Sequence, residues 1–284
     1  MADTQNAIYA QAYSQNIMQL AQQKYSKLLP TVFMKPNVRG KTFFQDQIGQ
    51  WNMSLKAGRN SVTPNNDPNL ARRMGTMLDW NDARLLDRTD ELKVISDPRS
   101  AYTVAAAQSL GRQIDDTIIQ YGILGNASAG ETGSTSVTNS NIVLASSASM
   151  TLARIIAVKQ QLDIADVELE DRYFVIRPDA LDNLLNTTAA TSSDYNTVKA
   201  LVRGEIDTWM GFKWIMSTRV SAASTSTLIG FAYQKNGVCL AMADAPLVRT
   251  DERTDLSYSW QVYYELNAGA VRLEEARVVI VNEG

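Results

Sequence analysis

The chain has 284 residues, 45% of them apolar and 20% charged, with a net charge of −3; this is the composition of a folded globular protein long enough to bury one large core or two smaller ones. It contains no histidine and one cysteine, Cys239, which excludes every Ser-His or Cys-His mechanism, histidine-ligated zinc and an intrachain disulfide. No run of about eighteen apolar residues occurs, so no membrane-spanning helix is expected, and a lone cysteine without histidine reads as a small buried apolar residue in a protein folded in a reducing cytoplasm.

Charge is unevenly spread. Residues 1–60 carry Lys24, Lys27, Lys35, Arg39, Lys41, Lys56 and Arg59 against Asp3 and Asp46, a net +5 that leaves −8 for the other 224 residues. A basic arm on an acidic body points to an anionic contact, either nucleic acid or an acidic face of a neighbour, with a solvated segment as the alternative. The chain as a whole is too weakly basic to read DNA sequence. Met1–Gln23 is rich in Gln, Asn and Ala and lacks the basic start and apolar run of a signal peptide. Ile8, Tyr9, Tyr13, Ile17, Met18 and Leu20 form a thin stripe at helical spacing, too sparse for a core, so the arm is expected to order on a partner surface.

Thr42–Leu55 reads as extended, with Trp51, Met53 and Leu55 alternating on one face. Met74–Arg88 reads as partly extended through Met74, Thr76, Leu78 and Trp80. Between them, Gly58, Pro64, Asn65, Asn66, Asp67 and Pro68 make a loop tip. The pattern predicts a long two-stranded excursion. Such a ribbon is marginal alone in water, so Trp51 and Trp80 are expected to be exposed and to need a neighbouring surface; the alternative is a hairpin packed on its own domain. Arg59, Arg72 and Arg73 flank the tip and suit carboxylates on a neighbour, or water.

The strongest helix signal follows. Ser96-Asp97-Pro98 supplies a capping side chain and a first-turn proline. Val104, Ala107, Gly111, Ile114, Ile118 and Tyr121 then recur at three- and four-residue steps, until Gly122 and Gly125 mark a stop. The prediction is a helix of about 26 residues, about 39 Å long. Asn126–Met150 is biased to Ser, Thr, Ala, Asn and Gly and reads as loop or short extended turns. Thr151–Asp163 regains a helical stripe, Arg172–Arg177 is a short strand, and Pro178 starts a helix with Ala180, Leu181, Leu184 and Leu185 inward. Tyr195–Val202 reads as a short helix. Strands are expected at Phe212–Ser217, Thr227–Tyr233, Gly237–Ala243, Tyr258–Leu266 and Ala276–Val281, giving an α+β chain.

Candidate chemistry is sparse. Gly125–Thr132 matches a phosphate-binding loop except that Glu131 replaces the lysine, and a carboxylate there repels phosphate. Asp163, Asp166, Glu168, Glu170 and Asp171 are clustered, but without the spacing or glycine of a calcium loop, so a solvated connection is the simpler reading. Asp115 and Asp116 are adjacent on the long helix and point about 100° apart, which is no catalytic pair. Asp251–Asp255 reads as a charged turn between strands, suited to an inter-subunit ionic contact or equally to plain surface, and Trp209, Trp214 and Trp260 as core or interface. No catalytic residue, cofactor or metal is expected.

The order of these features resembles the HK97-type major capsid proteins of tailed phages over nearly the whole chain. Gly40-Lys41-Thr42-Phe43-Phe44 through Ile48-Gly49 looks like the entry to that family's E-loop. The helix from Pro98 is similar to its P-domain spine. Tyr173–Pro178, followed by Leu181 and Leu184-Leu185, resembles a strand-to-helix unit of its A-domain, and Met210–Ser217 the glycine-led strand after it. Gly230-Phe231-Ala232-Tyr233 and Val238–Ala243 lead to Ser259–Glu265; Gly269-Ala270-Val271 and Val278–Val281 are similar to the terminal P-domain strands. Order, spacing and length carry the resemblance rather than one motif, and shell proteins of short-tailed phages look most alike.

The resemblance implies an α+β, HK97-like capsid fold: N-terminal arm 1–40, E-loop 41–92, spine helix 93–125, A-domain 126–244 and terminal P-domain strands 245–284. It implies a major capsid protein that self-assembles as a homo-oligomer of hexamers and pentamers into an icosahedral head around double-stranded DNA. A scaffolding protein and portal would assist, with assembly in the host cytoplasm, residence in the virion capsid and no membrane. Trp51, Arg59, Arg72, Arg73, Trp80, Lys24, Lys27, Lys35 and Arg39 are the expected assembly contacts. Some family members cross-link lysine to asparagine; no motif assigns such a pair here. Two alternatives stand: an encapsulin-like shell around a protein cargo, and a carboxylate- and metal-dependent enzyme resting on Asp163–Asp171.

Overall fold

The structure, a computed structural model, describes residues 22–63, 65–87, 99–145, 150–187, 208–220 and 228–283. The predicted Ser96–Pro98 cap, the Tyr195–Val202 helix and the arm up to residue 21 lie outside them. The chain divides into two units. The first takes Met1–Tyr25, Trp80–Gly111 and Pro246–Leu266; the second takes Ser26–Asp79, Arg112–Ala245 and Asn267–Gly284.

In chain order, the strands begin with β1 (Phe33–Lys35), β2 (Thr42–Ile48), β3 (Leu70–Thr76) and β4 (Leu78–Leu86). Helix α1 (Arg99–Thr117) runs on as a wider π-helical segment, Ile118–Leu124, so that 19 and seven residues make the predicted length. Strands β5 (Ala127–Ala129), β6 (Thr135–Val137) and β7 (Ile142–Ala145) precede α2 (Leu152–Ile164), β8 (Arg172–Ile176) and α3 (Pro178–Thr187). The chain ends on β9 (Thr208–Trp209), β10 (Phe212–Met216), β11 (Leu228–Gln234), β12 (Val238–Met242), β13 (Leu247–Arg253), β14 (Ser259–Arg272) and β15 (Val278–Glu283).

The second unit holds the main core. A mixed sheet, ordered β7-β15-β11-β8-β10-β9, carries α2 and α3. Ile155, Val158 and Leu162 of α2 and Ala180, Leu181 and Leu184 of α3 are buried with Phe174, Ile176, Ile229, Ala232, Val279 and Val281 of the strands. Strand β11 is buried at every position; a strand covered on both faces reads as a continuous apolar run, as Leu228-Ile-Gly-Phe-Ala does. A second sheet orders β2-β3-β5-β6. In it, Phe43 opposes Gly75, and a side chain on Gly75 would start 2.1 Å from the Phe43 ring, so the glycine is what lets the ring lie across the neighbouring strand. Gly269 is equally constrained: a Cβ there would meet the Thr76 carbonyl at 2.2 Å.

In the first unit, β13 and the first half of β14 form an antiparallel ribbon running from Leu247 opposite Glu265 to Arg253 opposite Ser259. Strand β4 pairs with β14, and the Tyr264 hydroxyl donates to Asp82 Oδ2 at 2.7 Å. Ala106, Leu110, Val262 and Leu266 are buried.

Several expectations need correction. The excursion is shorter than predicted: β2 and β3 pair residue for residue from Thr42–Thr76 to Ile48–Leu70, and β4 is not its return arm. Alternation continues past Met77 while the hydrogen-bonding partner changes, which a period-2 pattern cannot register. Trp80 therefore sits half-buried on β4 rather than exposed on the hairpin. Residues 49–55 are not strand, so Trp51 lies beyond the ladder. Asp251, Glu252 and Arg253 belong to β13, and the turn is 254–258, where Ser257 and Tyr258 take positive φ. Gly122 does not stop the helix. It is buried inside the π segment, where a Cβ would come within 2.7 Å of Val238 Cγ1. The Gly125–Thr132 segment enters a tight β5–β6 hairpin.

Candidate functional site

The feature that stands out is the β2–β3 hairpin. Its ladder stops at Ile48 and Leu70, themselves 76% and 71% exposed. Beyond it the described residues carry Trp51 at 70%, Met53 at 100%, Leu55 at 97% and Val62 at 92% exposure. Few bonds shape this tip: Gly49 N–H donates to Asn69 O at 2.7 Å and Asn66 Nδ2 to Ser54 Oγ at 2.9 Å. Water-exposed apolar side chains of this size, gathered on one loop, mark a binding surface.

The base of the hairpin is held firmly. Gln47 Nε2 and Arg73 Nε both donate to the Leu273 carbonyl, at 2.8 and 2.9 Å, and Arg73 Nη2 donates to Glu275 Oε2 at 2.7 Å. Glu275 Oε1 faces Arg272 Nε at 3.6 Å, an ion pair too long for a hydrogen bond. Arg272 is fully buried and donates to the carbonyls of Ile123, Gly125 and Val137. Burial pulls its guanidinium below the ordinary arginine value, with Glu275 opposing.

The segment that leads to residues 1–21 is also fixed. Asp115, fully buried on α1, accepts from Ser26 Oγ at 2.5 Å, Lys27 N at 3.1 Å and Leu28 N at 3.1 Å. Three residues further on, Thr31 and Tyr233 join their hydroxyls, and burial raises the Tyr233 phenol well above its ordinary value. Asp116 points elsewhere, to a forked pair with Arg219, as expected for adjacent helical residues.

The predicted contact residues do not form one cluster. Lys24 and Trp80 belong to the first unit and the rest to the second. Lys24, Arg39 and Arg59 are exposed. Lys27 Nζ donates to Met216 O and Lys35 Nζ to Phe44 O, both at 2.7 Å. Arg72 forks onto Asp46 at 2.6 and 3.2 Å, and this hydrogen bond holds the exposed Asp46 carboxyl below its ordinary value. Arg73 is not at the tip; it is the 11% exposed staple at the hairpin base. Sequence reasoning missed Asp115, Arg272 and Glu275 as organising residues. Their signal is tertiary, since a buried charge looks like any surface charge in sequence.

The acidic segment is largely answered by cations. Asp163 pairs with Arg172 at 2.6 Å, Glu168 with Arg277, and Asp171 with Lys213 at 2.7 Å. Among the described residues no group of three metal-ligating side chains occurs.

A hairpin with an apolar tip, a long helix, a helix-covered mixed sheet and a 14-residue strand near the end compose the HK97-like capsid fold, seen in three solved shells. The capsid of cyanophage P-SCSP1u superposes with a TM-score of 0.77 at 14% identity, covering 98% of this chain and 94% of that one. The capsid asymmetric unit of cyanophage Pam1 gives 0.75 at 13%, covering 100% and 99%. The capsid of a native GTA particle gives 0.75 at 12%, covering 100% and 98%. A family model described as phage capsid protein matches residues 5–283, and the chain belongs to that family. It is thus a major capsid shell protein, found in the phage virion capsid. No curated protein matches it.

Proposed function

We propose that many copies of this chain tile an icosahedral head as hexamers and pentamers around double-stranded DNA, each hairpin tip lying on a neighbour. The observation that carries this reading is the tip itself: Trp51, Met53, Leu55 and Val62 stand in water on a loop whose base is clamped. Covering such side chains is worth roughly 1.5–3 kcal/mol each before the cost of ordering them. Repeated around a ring, modest contacts add up to a closed assembly.

In this reading the N-terminal arm 1–40, E-loop (41–92), spine (93–125), A-domain (126–244) and terminal strands (245–284) serve as the functional parts of the tile. Exposed Lys24 and Arg39 support contact with packaged nucleic acid. A scaffolding protein and a portal assist assembly in the host cytoplasm. The task is structural and not catalytic; the ion pairs of Asp163, Glu168 and Asp171 favour a structural use of the acidic segment.

Electron microscopy of the expressed chain tests the reading. Particles tens of nanometres across are expected with or without added scaffold, and a persistent monomer under all conditions refutes it. Deleting Gly58–Asn69 should leave a subunit with an unchanged thermal melt that assembles poorly; normal shells from that deletion would remove Gly58–Asn69 from the mechanism. Particles that always hold a protein cargo and never DNA would turn the reading to an encapsulin-like shell.

A further inference from the structure

We infer that two copies of the chain join edge to edge through β13, antiparallel, about a twofold axis centred on Thr250. Strand β13 is paired on one side only, with β14, and the sheet ends there among the described residues. Its four central residues, Arg249 to Glu252, are all exposed. An open edge presents unpaired N–H and C=O groups to any strand that matches it.

Sequence decides which strand that is. A twofold axis normal to an antiparallel sheet makes one residue face its own copy. Centring on Arg249 sets two arginines face to face, and centring on Asp251 sets two aspartates. Centring on Thr250 places Arg249 of each copy opposite Asp251 of the other, on one face of the joined sheet, with Val248 opposite Glu252 and Leu247 opposite Arg253 on the flanks. The register is thus selected by charge.

The neighbouring charges strengthen the case. On the same face, Arg253 forks onto Asp255 and also reaches Gln261 Oε1 at 2.9 Å, while Glu265 takes the Tyr263 hydroxyl at 2.7 Å. Arg249 and Asp251 are left with no ion pair among the described residues. Charges on an edge strand ordinarily oppose association; here their order about Thr250 favours a second copy in this register over the registers centred on Arg249 or Asp251. The inference rests on the shell reading only for its twofold axes, which a closed icosahedral shell has between capsomers.

Thr250→Cys tests it directly. Cys239 is buried and its thiol is pushed up to about 11 by desolvation, so the new cysteine is the reactive one. Facing residues bring their Cβ atoms to about 4.5–5.5 Å, close enough for a disulfide after a small shift. Mild oxidation of assembled particles should convert most of the chain to a linked dimer on a non-reducing gel. Val248→Cys, about 13 Å from its own copy at 3.3 Å per residue, should give none. Arg249→Asp and Asp251→Arg should each lower particle yield about tenfold or more, and the double exchange should restore it to within a few fold.

Wild-type particles whose Thr250→Cys form stays monomeric on oxidation overturn the pairing and leave the shell reading intact, as does a double exchange no better than either single change. Linked dimers without particles support the pairing and overturn the shell; neither dimers nor particles overturns both.

Discussion

Arg272, fully buried on β14, donates from Nη1 to the main-chain carbonyl of Ile123 at 3.0 Å. Ile123 lies in the last turn of the long helix, where carbonyls lack intrahelical partners and carry the negative end of the helix dipole. The same side chain reaches Gly125 O at 2.9 Å and Val137 O at 2.9 Å. One arginine thus closes the helix, seats the β5–β6 hairpin and ties both to β14.

Arg272→Ala should therefore cost about 3 kcal/mol or more, because it opens a cavity and strands one buried and two part-buried carbonyls. Arg272→Lys should recover only part of this, lacking the planar fork. Urea unfolding of the isolated subunit measures both; a loss below about 1 kcal/mol for the alanine variant would show the carbonyls to be satisfied otherwise.

Asp115→Ala should release Ser26–Leu28 from α1, since it removes the acceptor of three donors. The expected cost is about 2–3 kcal/mol. Hydrogen exchange should report faster exchange at Lys27 and Leu28 amides, with β8 and β11 unchanged; uniform change across the subunit would refute a local anchor.

Gly269→Ala should destabilise by about 1–3 kcal/mol or more. Its Cβ would have to displace the backbone at Thr76, not a yielding side chain. The melting temperature should fall, and Gly58→Ala, which meets nothing within 4 Å, should leave it unchanged.

The Glu168–Arg277 pair sets a pH dependence. Its hydrogen bond to Arg277 holds Glu168 below its ordinary value of 4.5. A carboxylate lowered by folding stabilises above the unfolded pKa and loses that contribution as pH falls through the folded one. Wild type and Glu168→Gln should thus differ in denaturation midpoint at pH 7 and converge as pH falls through the folded-state value of Glu168. A difference independent of pH would assign the effect to packing.

What the sequence disclosed follows from which forces leave a local pattern. The long helix was legible because Val104 to Tyr121 repeat every three or four residues along one face. Its π-helical end was not, since Ile118–Leu124 keep the same apolar composition whichever carbonyl each N–H finds. Strand β13 was hidden because Leu247–Arg253 lies at an edge and is charged; only its pairing with β14 makes it a strand. Trp80 was assigned to the wrong element because one residue, Met77, separates two strands with different partners. Of the site, the exposure of Trp51 was foreseen from its place on a projecting ribbon, but not its position beyond the ladder, in a stretch the alternation read as strand. The Arg73–Glu275 clamp beneath it joins positions 202 apart and leaves no trace in either neighbourhood.

The loosely bonded loop beyond Ile48 has a bearing on fidelity. Because its own chain fixes so little of its shape, each landing spends part of the apolar gain on restricting the loop, and a single engagement stays weak. A subunit that docks in the wrong orientation can then leave before others lock it in. In the proposed assembly, closure would select the arrangement in which all landings succeed together, so that tolerance of brief mistakes at one site would become accuracy for the finished particle.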